Sequence, residues 1–171
     1  MPNPQRIYWD ACAWIAYINQ EDIPQKQGPS ENRYRMCKGI LTLAEAGKVE
    51  IVTSAFTLSE VCKSSEIKSS PADDLPAFFD SSYILLVPVD KTVGQRAQQM
   101  QLSGLLGGLK PADATHLASA VRADVKEFHT FDDRLLAFDG RITMSDGQPM
   151  TICKPGTLKP DGLFAKLGEE E

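Results

Sequence analysis

Short β-prone runs separated by helix-compatible stretches recur along the whole chain, and this alternation constrains the fold more than any other feature of the sequence. Ile7-Tyr8-Trp9, Ile51-Val52-Thr53, the run YILLVPV, Glu127 to Phe131 and Met150 to Cys153 read as strands. Between them lie ACAWIAYIN, a segment with Cys37, Ile40, Leu41 and Ala44 on one face, a helix carrying Leu58, Val61 and Cys62, and a short amphipathic piece from Pro71 with Phe78 and Phe79. A long helical stretch to Leu106, the helix ADATHLASAVRAD and the short RLLAF complete the alternation. The punctuation agrees. Ser30, Ser54 and Asp90 are N-cap candidates, Gly47 closes a helix, and Lys110-Pro111 puts proline in a first helical turn. Strands alternating with helices make a parallel sheet covered on both faces through right-handed crossovers. The expected fold is therefore α/β, a three-layer α/β/α sandwich with a central, mainly parallel five-stranded sheet. YILLVPV is apolar enough to be buried on both faces of it.

A chain of 171 residues, 42% of them hydrophobic, has the size and composition of one globular domain. No apolar run approaches the ~18 residues of a membrane span, and MPNPQRIYWD lacks the layout of a signal peptide. A cytoplasmic, membrane-free protein is expected. Cys12, Cys37, Cys62 and Cys153 are dispersed and the histidines are His116 and His129, a pattern that argues against zinc. Eighteen basic and 23 acidic residues give a net charge of −5, which disfavours a broad electrostatic surface for duplex DNA. Three of those acids are Glu169, Glu170 and Glu171, so the body of the chain is close to −2.

In open α/β sheets, ligands bind beyond the carboxyl ends of the strands. Asp10 ends the first strand, Asp132 ends the fourth, and Asp113 heads a helix. Asp10 and Asp132 also suit N-caps, and Asp113 suits the first-turn dipole. Asp113 shares a helical stripe with Leu117, Ala120 and Val121, so it heads the core-facing side of its helix. A carboxylate there needs a partner, and a cation is one. Glu60 falls opposite Leu58, Val61 and Cys62, which taken alone describes a solvated face.

The segments IYWDACAWI, IVTSAFTLSEV, LKPADATHLASAV, FHTFDDRLL and MTICKPGTL, in this order, resemble the successive motifs of PIN-domain ribonucleases, VapC toxins of toxin–antitoxin pairs among them. The resemblance spans roughly residues 5 to 155, read as the domain, with 156–171 as an acidic C-terminal extension. Its strongest pieces are the strand-one Asp, the S-x(5)-E segment of Ser54 and Glu60, and D-A-x-H-L-A-x-A from Asp113; Thr130-Phe131-Asp132 matches the T-x-D that carries the family's fourth acid. Ala11-Cys12 departs from the Ser, Thr or Asn often found just after the first Asp.

The resemblance implies that Asp10, Glu60, Asp113 and Asp132 converge on one or two Mg²⁺ or Mn²⁺ ions, consistent with the hard cations that oxygen-only ligands select. It also implies endonucleolytic hydrolysis of RNA leaving a 5′-phosphate, with RNA as substrate and an antitoxin protein as partner. Two divalent ions would turn a body of about −2 into about +2, easing RNA approach. Lys63, Lys110 and Arg134 stand close enough in sequence to the acids to hold a phosphate. Trp9, Trp14 and Tyr17 are assigned to the core, and His116 to structure. The nearly all-round apolar helix one suits either the antitoxin or a homodimer. Asp132 is chosen over Asp133 because neighbouring side chains at a strand end point apart.

Two other classes fit parts of the pattern. An inactive PIN fold serving as a binding scaffold would keep the acids without turnover. A phospho-acceptor receiver would use Asp10, Asp90, Thr130 and Lys154, but it places the acceptor far nearer the first acid and leaves Glu60 and Asp113 without roles.

Overall fold

The computed structural model describes residues 4–63, 75–104 and 107–156. Pro71, Leu106, the side chain of Lys63 and residues 157–171 lie outside the described residues. In chain order the elements are β1 (Gln5–Trp9), α1 (Ala11–Ile18), β2 (Asp22–Ile23), β3 (Glu31–Asn32), α2 (Arg33–Glu45), β4 (Val49–Ser54) and α3 (Thr57–Glu60). A 3-10 turn, Val61–Lys63, follows; then come α4 (Leu75–Phe79), β5 (Ile84–Val87), α5 (Lys91–Leu102), α6 (Pro111–Arg122), β6 (Glu127–His129), α7 (Asp133–Leu136) and β7 (Thr151–Cys153). Five strands form one sheet in the order β5-β4-β1-β6-β7. Every pair in it is parallel. The central strand β1 therefore has β4 on one side and β6 on the other, with Tyr8 in register with both Val52 and Phe128.

Alternation along β1 separates the two covering layers. Ile7 and Trp9 point to the layer of α1, α2 and α4, where Trp9 meets Trp14 edge-on at 4.7 Å and Trp14 meets Phe79 at 5.0 Å. Tyr8 points the other way, stacking on Phe128 at 4.9 Å beneath Leu117, Ala120 and Val121 of α6 and Leu135 of α7. Trp9 and Trp14 are fully buried, as a core assignment requires, and each large apolar side chain so buried stabilises the fold by about 1.5–3 kcal/mol. No helix among the described residues is long and apolar enough to cross a membrane.

Four local expectations are corrected. Residues 21–32 form a small antiparallel hairpin, β2–β3, and Asn32 rather than Ser30 caps α2, its Oδ1 accepting from Arg35 N at 2.7 Å. Ser54 remains the last residue of β4, its Oγ accepting from Phe56 N, and the helix expected from it is one α-turn running into a 3-10 turn. The expected apolar face holds only at Val61, which is 1% exposed: Leu58 is 40% exposed, whereas Glu60 is only 7% exposed. YILLVPV yields an edge strand with one neighbour, and Ile84, Leu85 and Leu86 are only partly buried. Finally, β6 stops at His129, so Thr130 and Phe131 lie past the strand and lead into the α7 cap.

Candidate metal centre

Asp10 leaves β1 in extended backbone and caps α1, with Oδ1 accepting from Ala13 N at 3.1 Å. The same oxygen accepts from Cys12 Sγ at 2.9 Å, and Thr130 Oγ1 donates to Oδ2 at 2.6 Å. Cys12 and Thr130 are held in turn: Phe131 N donates to the sulfur at 3.1 Å and Asp132 N to the Thr130 hydroxyl at 3.0 Å. The departure at Cys12 thus keeps a donor on Asp10, with a thiol standing where a hydroxyl or amide is often found. Burial pushes the ionisation of Asp10 upward, opposed by the charge of His116 and by the hydrogen bonds from Cys12, Thr130 and Ala13. Burial likewise holds the Cys12 thiol well above its ordinary value, reinforced by the negative charge of Asp10. It stays a neutral donor.

Glu60 reaches the same end of the sheet because α3 is pinned to it. Thr53 Oγ1 donates to Trp9 O at 2.7 Å, so the 2.8 Å contact with Thr57 has Thr57 as donor, fixing the helix start against β4 and β1. Glu60 Oε2 then meets His116 Nε2 at 2.6 Å, and His116 Nδ1 meets the Tyr8 hydroxyl at 2.9 Å. An ionised carboxylate only accepts, so this network assigns a proton to His116 Nε2. His116 acts electrostatically on both Asp10 and Asp113 as well. Assigning it to structure alone missed this junction. The signal was present in the spacing: His116 follows Asp113 by three positions and shares its side of α6.

Asp113, in the first turn of α6, lies 3.7 Å from an Arg134 terminal nitrogen. Arg134 grips Asp132 from both sides, Nε to Oδ1 at 3.2 Å and the terminal nitrogen to Oδ2 at 2.6 Å, while Arg134 N donates to the Asp132 cap at 2.9 Å. Burial raises Asp113, Arg134 opposes it, and the neighbouring Asp132 carboxylate raises it again. Hydrogen bonding from Arg134 keeps Asp132 below its ordinary value. Asp133 is exposed in the first turn of α7. The fold therefore delivers Asp10 from the end of β1, Asp132 from the α7 cap three residues past the adjacent β6, Asp113 from α6 and Glu60 from α3, with His116 bonded to Glu60 and Arg134 reaching both Asp113 and Asp132.

These residues fit a hard divalent cation. All four side chains offer oxygen, and Asp10 accepts three hydrogen bonds against about four lone-pair positions. Asp10 and Asp113 have ionisations raised by burial, so added positive charge would stabilise both.

A different group closes to within 4.8 Å among the described residues: Glu127, His129 and Cys153, all buried. The in-register pairing of His129 with Cys153 creates it, which dispersed cysteines in the sequence did not suggest. The hydrogen bonding does not suit a metal. Trp9 Nε1, which can only donate, points at His129 Nδ1 at 3.2 Å, so the ring proton sits on Nε2 and is given to Glu127 at 2.7 Å. A metal on Nε2 would force that proton to Nδ1, against the indole N–H. The group is a buried hydrogen-bond chain that ties β1 to β6.

A family model described as the PIN domain matches residues 7–141 of the chain. Among solved structures, the chain is similar to the crystal structure of VapC20 from Mycobacterium tuberculosis, a toxin that cleaves the sarcin-ricin loop, with a TM-score of 0.56 at 18% identity. That likeness covers 77% of this chain and 94% of the other. A comparison with curated proteins found no match.

Proposed function

The chain belongs to the PIN-domain family, and from that premise we propose that it is a Mg²⁺- or Mn²⁺-dependent endoribonuclease, the toxin of a toxin–antitoxin pair. The observation that carries the reading is the pair of basic side chains the acids share: His116 bonds Glu60 and acts on Asp10 and Asp113, Arg134 reaches both Asp113 and Asp132, and burial raises Asp10 and Asp113. Asp10, Glu60, Asp113 and Asp132 would hold the cation, which when bound supplies positive charge at the scissile phosphate and acidifies water. Cys12, Thr130 and the Ala13 amide fix the Asp10 carboxylate, and His116 fixes Glu60. Water oxygen attacks phosphorus, the P–O3′ bond breaks, and the 3′-oxygen takes up a proton, leaving a 3′-hydroxyl and a 5′-phosphate. The likeness to VapC20, a toxin that cleaves an RNA loop, supports RNA as the substrate class and an antitoxin as partner.

The exposed apolar side chains Phe56, Leu58 and Val89 give an antitoxin surface to bury beyond helix one. A second copy of the chain is the competing occupant. Cleavage of single-stranded RNA by the purified chain in Mn²⁺, with Asp113→Asn as control, tests the nuclease reading. Activity in the wild type alone is expected; activity that survives a stringent chelator, or full activity in the variant, overturns it and leaves a binding scaffold. Arrested growth on expression of the chain alone, relieved by a co-expressed partner, tests the toxin reading.

A further inference from the structure

Arg134 occupies an unusual place in this acidic chain: among the described residues it is the cation that reaches two of the four candidate carboxylates, Asp113 and Asp132. Its guanidinium takes both oxygens of Asp132 and approaches Asp113 Oδ2 at 3.7 Å. A divalent cation held by Asp113 and Asp132 needs those same oxygens, so guanidinium and cation cannot both have them fully. Resting on the nuclease reading above, we propose that Arg134 competes with the divalent cation for Asp132 and Asp113 and, when displaced, binds the scissile phosphate of the RNA.

Three features of the structure support the exchange. The Arg134 side chain is half exposed, so it can swing toward solvent without disturbing the buried core. Its backbone is fixed independently, in the first turn of α7 with the amide donating to Asp132 Oδ1, so the swing starts from a constant point beside the site. The fork geometry that matches a carboxylate bidentately matches two phosphate oxygens equally well. A phosphate drawn to a cation at Asp113 and Asp132 would lie next to the vacated guanidinium. Another cation whose charge Asp132 feels is Lys110, which is exposed at the cap of α6 and can make only a point contact. Arg134 is thus both a brake on cation binding and a substrate contact, and these two roles have opposite signs in different assays.

The experiment measures Mn²⁺ affinity, from the free-ion paramagnetic signal, and RNA cleavage at saturating Mn²⁺, for the full chain and for Arg134→Ala and Arg134→Lys. Exposed ion pairs are weak, so removing the competitor should tighten Mn²⁺ binding by about two- to five-fold. Loss of the phosphate contact should lower kcat/KM by about ten-fold or more. Arg134→Lys should fall between wild type and Arg134→Ala in both. In an Asp132→Asn background, Arg134→Ala should tighten Mn²⁺ binding less than it does in the wild type, because one of the two shared carboxylates is gone. Unchanged or weaker Mn²⁺ binding in Arg134→Ala overturns the competition, and unchanged cleavage overturns the phosphate contact. A wild-type chain that binds no Mn²⁺ overturns the nuclease reading itself, an outcome separate from either.

Discussion

Replacing His116 with leucine removes the bridge that joins Glu60 to Tyr8 while keeping most of the volume of the ring. Two buried hydrogen bonds disappear, at 2.6 Å to a carboxylate and 2.9 Å to a phenol. The first is charge-assisted and contributes about 1.5–3 kcal/mol, the second about 1 kcal/mol. Glu60, 7% exposed, has little access to water in compensation. The expected destabilisation is about 3–4 kcal/mol, which for a chain of this length lowers the melting midpoint by about 9–12 °C at about 3 °C per kcal/mol. Thermal unfolding followed by far-UV circular dichroism in chelator isolates this folding effect. A Mn²⁺ titration of the folded variant then reads orientation, where loss of a residue supporting a ligand typically weakens affinity by about 10–100-fold. His116→Gln places an amide donor near the position of Nε2 and should recover most of the affinity and all but about 3 °C of the midpoint. A leucine variant melting within about 2 °C of wild type, with unaltered Mn²⁺ affinity, would refute the assigned role of His116.

Asp132→Asn should weaken Mn²⁺ binding and cleavage, whereas Asp133→Asn, at an exposed first-turn position, should leave Mn²⁺ affinity near wild type; the reverse order in a Mn²⁺ titration shows that Asp133 enters the site instead. Cys12, whose thiol is held well above its ordinary ionisation by burial and by Asp10, should resist iodoacetamide at mildly alkaline pH, and mass spectrometry should find the exposed Cys62 alkylated first. Burial works against the charge on Glu31, yet the hydrogen bonds from Lys154 and Arg33 outweigh it and hold the carboxyl below its ordinary value. A depressed folded-state value adds stability above the unfolded value and loses it as pH falls through the folded one. Glu31→Gln should therefore be less stable than wild type near neutrality, by less than about 1 kcal/mol for part-buried ion pairs still open to solvent, and denaturant midpoints should converge as pH falls through the depressed value of the folded Glu31 carboxyl.

The parts of this molecule legible in sequence are those built from long, regular repeats. The α6 helix runs twelve residues from a proline, so a stripe through Asp113, Leu117, Ala120 and Val121 keeps its phase, and the packing of Leu117, Ala120 and Val121 against β1 and β6 follows. Asp90 is legible for the same reason, as an N-cap whose Oδ1 accepts from Val93 N at 2.9 Å. Glu60 is illegible by periodicity because α3 is four residues long, too short for a helical stripe to register: of the three residues set opposite it, Val61 is buried while Leu58 and Cys62 are exposed. Only the resemblance of its segment to a family motif marked it. The β2–β3 hairpin was missed because each strand is two residues long, below the length at which alternation can register. The Trp9–His129–Glu127 chain, with Cys153 beside it, depends on β1, β6 and β7 lying in register, which no local spacing encodes. The sequence puts Arg134 close to the acids; that it grips Asp132 follows from the tight α7 cap, a feature of backbone geometry rather than of pattern.

The central claim, that these carboxylates bind a divalent cation to cleave RNA, is tested most directly by the rate of single-stranded RNA cleavage as a function of free Mn²⁺ in a chelator-buffered series. The account predicts no cleavage at the lowest free Mn²⁺, a saturable rise, and fragments carrying 5′-phosphates. A rate independent of free Mn²⁺ across the series, or no cleavage at any concentration, would contradict it.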